Sequence, residues 1–229
     1  MGVKVIFHGQ SNIEIHSGSH HIQIDPFYDQ NPITDVKAKD VNPEFIFLTH
    51  AHGDHVADAE AIARRTGATI VAAYEVAAYF GKKGLKVVGM NHGGGMDFPF
   101  GRAFMTIAFH TSSFDDGAYG GQPAGWIFQT GGKTIYHAGD TALFGDMELI
   151  GKLFPIDLAC LPIGDCYTMG PAHAILAAKM LKTKMVLPMH YNTFPQIAQD
   201  GPAFGHTLEK ETGARVRAVV LKPGGSAEM

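Results

Sequence analysis

The 229-residue sequence is 45% hydrophobic, with a formal charge of −4 and a pI near 6.3. That is enough apolar material for one compact domain over residues 1–229, and the wrong charge for a nucleic-acid surface of the usual basic kind. No apolar run approaches the roughly 20 residues needed to cross a bilayer. The opening MGVKVIFHGQSN has too short an apolar stretch for a signal peptide, and Ile6 stands where myristoylation needs Ser or Thr. A cytoplasmic protein without nucleic-acid or membrane partners is expected, with homo-oligomerisation left open.

Period-two apolar runs fill the first fifth of the chain: VKVIFH (3–8), NIEIHS (12–17) and HIQIDP (21–26), read as a β meander. From residue 44 the pattern turns to strand followed by helix. EFIFLT leads into a helix over 54–67 closed by Gly67, then TIVAA, a helix over 75–84, and LKVVGM. Strands return with RAFMTIAF (102–109), GWIFQTGG (125–132) and KTIYHA (133–138), the last two joined by a Gly-Gly hairpin turn. The final third alternates helices near 145–153, 171–182 and 202–213 with the strands DLACLPI, KMVLPM and RVRAVVL. Pro171 suits a first helical position, where its missing N–H costs nothing. Both halves run strands first and strand-helix units later, which predicts an α/β sandwich of two mixed sheets with helices outside.

The stretch LTHAHGDHV (48–56) sets three histidines and an aspartate within six positions. At this chain's own composition such a pattern is expected by chance roughly 0.003 times. His50 ends a buried-looking strand, Gly53 allows a sharp turn, and Asp54 occupies a helix N-cap position, so His50, His52, Asp54 and His55 radiate from one turn. Three further strands end on metal-type side chains: FMTIAFH at His110, TIYHAGD at Asp140 and MVLPMH at His190. Strand ends along one rim of a sandwich converge, and neutral imidazoles with carboxylates are the donors that zinc, manganese, iron or nickel take.

With T-H-x-H-x-D-H, the later His, Gly-Asp and His, and the early HIQIDPF in order along nearly the whole chain, the sequence resembles the metallo-β-lactamase superfamily. YHAGDT, GPAHAILAAKMLK and VLPMHYNTFP are similar to the metal-dependent hydrolases related to ascorbate-6-phosphate lactonases. The resemblance implies a four-layer αββα sandwich and a dinuclear centre. One divalent ion falls on His50, His52 and His110, the other on Asp54, His55 and His190, with Asp140 bridging. Zinc is favoured, and manganese, nickel or iron are compatible. It also implies hydrolysis by a metal-bridging hydroxide, with Asp54 and Asp140 as the catalytic carboxylates and a small ester, lactone or phosphodiester as substrate. A bridging carboxylate suits two cations ~3.5–4 Å apart, because it offsets their repulsion.

The same comparison sets other relatives aside. Class B β-lactamases recruit a cysteine in place of the bridging aspartate, flavodiiron enzymes carry Glu at the position of His52, and glyoxalase II adds a C-terminal helical domain. Nucleases of the tRNA 3′-processing kind share the ligands but carry an RNA-binding arm, and a non-catalytic metal binder is the remaining rival. The related lactonases commonly read Gly-His-Ser in the first turn, whereas this chain has Gln10 at the histidine position.

Asp25 reads equally well as a hydrogen-bond acceptor behind the ligand loop and as a turn-forming Asp before Pro. His173, in the first turn of a helix, is either a cap-region residue or a pocket-lining group, and Tyr191 and Tyr167 read equally well as substrate-orienting and as packing residues. The pocket walls are expected from the Gly-rich 112–125 loop, which reads either as a lid or as an ordinary surface loop, together with HYNTF and DCYTMG. His16, His20 and His21 are expected to face solvent, His206 to lie on a helix surface, and His8, His92 and His137 to be structural. Cys160 and Cys166 are read as buried reduced thiols.

Overall fold

The computed structural model describes residues 2–229. Strands β1 (Val3–Phe7), β2 (Ile13–Ser17) and β3 (His20–Ile24) form an antiparallel meander, to which β4 (Phe45–Phe47), β5 (Thr69–Ala73) and β6 (Val87–Met90) add in parallel. The second half repeats the plan. Strands β7 (Gly95–Phe98), β8 (Gly101–Ile107), β9 (Ala124–Thr130) and β10 (Lys133–His137) run antiparallel, and β11 (Leu158–Pro162), β12 (Met185–Met189) and β13 (Arg217–Ala218) continue in parallel. The C-terminal β14 (Ser226–Glu228) returns to the first sheet beside β1, giving two seven-stranded sheets.

Alternation along each strand sets the layers. Val3, Val5, Phe7, Ile13 and Ile15 from the first sheet meet Ala124, Trp126 and Phe128 from the second in one buried core. Phe47 packs edge-on to Trp126 and Phe128 at centroid distances of 5.0 and 4.8 Å, and the Trp126 indole donates to the Leu48 carbonyl at 3.0 Å. Helices α1 (Gly53–Val56), α2 (Ala59–Thr66) and α3 (Tyr74–Lys82) belong to the first half, and α4 (Met147–Leu153), α5 (Pro171–Leu181) and α6 (Gly201–Glu211) to the second. The outer faces of the two sheets bury separate clusters against α2 and α3 and against α4, α5 and α6, which completes the αββα order.

Local chemistry accounts for the boundaries. Gly67 closes α2 in the left-handed region, Pro171 opens α5, and Gly131 and Gly132 both carry positive φ in the two-residue hairpin turn. Several expectations need correction. The helix expected over 54–67 is broken into α1 and α2, because the Asp58 carboxylate accepts from the backbone N–H groups of Tyr28 and Asp29 at 2.6 and 3.2 Å. The strand expected over 215–221 contracts to β13, and two strands were not expected, β7 and β14, whose Phe98 and Ala227 pack against the central core. Cys160 is buried as expected, but Cys166 is exposed. Among the described residues no helix is long and apolar enough to cross a membrane.

Candidate metal centre

Strand ends deliver the site to one rim. The β4–α1 connection carries His50, His52, Asp54 and His55, while His110 follows β8, Asp140 follows β10 and His190 follows β12. His52, rather than Asp54, is the N-cap of α1, so the Asp54 carboxylate in the first turn is free to face the site. Gly53 does not use a left-handed turn; it sits inside the first helical turn with the Asp115 carboxylate close by. Gly139 is required before Asp140: its φ is +65°, and a Cβ there would lie 2.5 Å from the Ala124 carbonyl oxygen. Three non-glycine residues around the rim, Gln10, Asp25 and His190, hold positive φ of 56°, 46° and 54°.

The side chains fall into two overlapping groups. His50, His52 and His110 form one, Asp54, His55 and His190 the other, and in each the possible ligand atoms lie within 4.8 Å of one another. His50 Nε2 and His52 Nδ1 are 2.9 Å apart. Asp140 stands between the groups, its Oδ2 lying 2.9 Å from His190 Nε2, 3.3 Å from His55 Nε2 and 3.7 Å from His110 Nε2.

Behind these groups lies a set of supporting hydrogen bonds. Buried Asp25 accepts from His55 Nδ1 at 2.7 Å, from the Thr49 hydroxyl at 2.6 Å and from the Thr49 backbone N–H at 2.8 Å. With its proton committed to Asp25, the Thr49 hydroxyl accepts from His50 Nδ1 at 3.0 Å. Both imidazoles are therefore held with Nε2 toward the centre. Gln10 Nε2 donates to Asp54 Oδ2 at 2.7 Å, and the Gln10 carbonyl accepts from the His190 N–H at 2.9 Å. Gln10 thus ties Asp54 to His190. The Ser11 hydroxyl donates to Asp140 Oδ1 at 3.2 Å. Thr49 and Ser11 were not singled out from the sequence, although each is the immediate neighbour of a residue that was.

Charge decides what this arrangement can hold. Burial pushes His50 well below its ordinary pKa and lowers His52 and His110, so all three are neutral donors. Burial works against the charged forms of Asp140 and Asp54, but the neighbouring imidazoles outweigh it and hold both carboxyls below their ordinary range. Burial likewise opposes charge on His55, yet Asp140, Asp54 and Asp25 overcome it and raise its pKa well above the usual value. Among the described residues no Lys or Arg lies within 4 Å of any of the three carboxylates. Buried His55 Nε2, between Asp54 and Asp140, has no hydrogen-bond partner, nor does His190 Nδ1. Three anions clustered without a fixed cation, facing imidazole lone pairs, fit divalent metal ions and are poorly served otherwise.

A cavity of about 240 Å³ opens over the cluster, lined by Gln10, His52, Asp54, His110, Asp140 and His190 and closed by Thr111, Tyr167 and Phe194. A larger open hollow of about 710 Å³ lies beside α6, but none of the His or Asp residues of the cluster lines it. Tyr191 faces that hollow and the outer core, so of the two tyrosines only Tyr167 reaches the cavity. His173 is exposed on α5 and takes no part in the lining. Against expectation, no residue of the 112–125 loop lines the cavity. Phe114 stacks on Tyr79 of α3 at 3.7 Å and Asp116 accepts from the Tyr79 hydroxyl, which pins the loop to the first half of the molecule, while Ser113 pairs with Tyr119 in a β-bridge within the loop. His8, His92 and His137 are structural: they contact Glu14, the Pro123 carbonyl and the Ser11 carbonyl respectively.

An αββα sandwich with a five-histidine, two-aspartate rim defines a metal-dependent hydrolase of the metallo-β-lactamase type. The chain belongs to that superfamily: the model of the beta-lactamase superfamily domain matches residues 20–191. It is 47% identical over 230 residues to a UPF0173 metal-dependent hydrolase of Exiguobacterium sp., covering 99% of this chain and all of that one. It is 50% identical over 216 residues to the UPF0173 metal-dependent hydrolase YtkL of Bacillus subtilis, covering 92% and 95% of the two chains. The structure of Igni18, a metallo hydrolase from Ignicoccus hospitalis, superposes with a TM-score of 0.91 at 36% identity, over 100% of this chain and 99% of that one.

Proposed function

We propose that the chain is a dinuclear hydrolase of a small ester, lactone or phosphodiester, with Asp140 shared between two divalent ions, zinc favoured over manganese, nickel or iron. The observation that carries this reading is the position of Asp140 Oδ2, which lies within 3.7 Å of imidazole nitrogens from both groups. Ions bound there would supply a water deprotonated near neutral pH and polarise the oxygen of the scissile group. The chain's own residues do the rest. Asp25 and Thr49 fix the tautomers of His55 and His50, and Gln10 restrains Asp54. Asp54, ionised and lining the cavity, would hold one ion and orient the water bound to it. Tyr167 and Phe194 form the wall against which a substrate is oriented.

The size and lining of the cavity support a small substrate. Among the described residues no Lys or Arg lines it, whereas a polynucleotide needs several cations along its track. The formal charge of −4 favours a small-molecule substrate over a polyanion, and a cytoplasmic setting is part of the same proposal. The test compares metal-loaded protein on a phosphorylated sugar lactone, bis(p-nitrophenyl) phosphate and a structured RNA. Turnover of a small substrate that falls in Tyr167→Ala with metal retained is the expected result. Salt-sensitive RNA cleavage faster than either small substrate would overturn the reading.

A further inference from the structure

The outer face of the β1–β3 meander carries a second group of the same side-chain types, unused by the rim. His16 on β2 and His21 on β3 are directly opposed in the antiparallel ladder, with rings 3.9 Å apart and tilted by only 11°. Glu14 lies two residues back on β2 and so on the same face. Its Oε1 is 2.6 Å from His16 Nε2 and 3.9 Å from His21 Nδ1, and the three possible ligand atoms lie within 4.8 Å of one another.

The setting of Glu14 gives this group its meaning. Its side chain is only 9% exposed, and its second oxygen meets the buried His8 Nε2 at 3.2 Å. Among the described residues its ion-pair partners are all histidines, with no Lys or Arg within 4 Å. A carboxylate this buried needs a compensating positive charge. His16 and His21 are 28% and 42% exposed in their side chains, which leaves a path from solvent to the carboxylate.

We propose that Glu14, His16 and His21 form a separate three-ligand site for a borderline divalent cation such as Zn²⁺, Ni²⁺ or Cu²⁺. Two imidazoles and one carboxylate with an open position are a donor set these ions take, whereas Ca²⁺ and Mg²⁺ prefer oxygen alone. The ion ties β2 to β3 across the ladder. It stabilises the native chain because the unfolded chain does not hold the three ligands together.

The experiment is a difference measurement, independent of how many ions the rim holds. Wild type, Glu14→Gln and His16→Ala/His21→Ala are loaded with Zn²⁺, freed of loosely held metal and analysed for zinc per chain. The wild type is expected to retain one ion more than either variant, with hydrolase rates equal within about twofold and a Zn²⁺-dependent rise in Tm that both variants lose. Equal zinc counts in wild type and folded variants overturn the site. Should the variants not fold, Cu²⁺ is added to wild type already saturated with Zn²⁺ at the rim. A bound Cu²⁺ spectrum split by two imidazole nitrogens supports the site, and its absence overturns it.

Discussion

The two halves of the rim offer the same number of side chains able to bind metal but different charge. His50, His52 and His110 are three neutral imidazoles, with the hydroxyls of Thr49 and Thr111 as the outer contacts of His50 and His52. Asp54, His55 and His190 include a carboxylate, have Asp25 hydrogen-bonded directly to His55, and stand nearer Asp140, at 2.9 and 3.3 Å against 3.7 Å for His110. Anionic charge, rather than ligand count, is therefore what separates the two positions. The aspartate half should hold its ion more tightly.

The largest expected effect comes from removing the group both halves share. Asp140→Asn should lower turnover by more than the roughly 10–100-fold that loss of an outer partner costs. Elemental analysis should fall from two ions per chain to at most one. Full activity with two ions retained would remove Asp140 from its bridging role.

Asp25→Asn follows. Its hydrogen bond to His55 is direct, but it reaches His50 only through Thr49. Metal affinity should drop roughly 10–100-fold in the aspartate half and by less in the imidazole half. Equal losses measured by competitive titration would show that Asp25 does not distinguish the two. Graded chelation sharpens the same contrast: the ion should leave in two phases, with His52→Ala abolishing the fast one and His190→Ala the slow one. A single phase in the wild type contradicts the ranking.

Gln10→Ala should be milder. Its bond to Asp54 is charge-assisted, a class worth about 1.5–3 kcal/mol at most, and Asp54 is partly exposed. A loss of up to about tenfold in kcat/KM is expected, with both ions kept. The smallest effect lies away from the rim. Burial pushes the Asp157 carboxyl up, but Lys184 Nζ and the Thr134 N–H more than offset it and hold its pKa below the ordinary value. A depressed folded pKa contributes stability above the ordinary carboxylate range that is lost as pH falls through the folded value. Because Lys184 is 70% exposed, Asp157→Asn should cost no more than ~1 kcal/mol near neutral pH, less in acid, and leave metal content untouched.

Local geometry explains which parts of this were legible in the sequence. His50, His52, Asp54 and His55 could be read together because one turn carries them, and His110, Asp140 and His190 because apolar strands end on them. The supporting groups could not. Thr49 and Ser11 act through hydroxyls whose partners lie 24 and 129 residues away. Tyr191 directly follows His190, yet the left-handed turn there sends it into the outer core, and it is Tyr167, 24 residues before Tyr191, that reaches the cavity. Period-two alternation put His16 and His21 on an outer face, but not the depth of Glu14 beside them, which depends on packing from His8 and Tyr28. The strands β7 and β14 were hidden because, at four and three residues, they are too short to establish a period.

The left-handed backbone at Gln10, Asp25 and His190 makes the rim a place where conformational strain is held. Each such residue costs about 1–3 kcal/mol and persists only where the surrounding chain enforces it. The Gln10–His190 backbone bond and the Asp25–Thr49 pair contribute to that enforcement. The rim thus draws on stability supplied by the rest of the sandwich, and a weakened core would be felt there before the strands themselves separate.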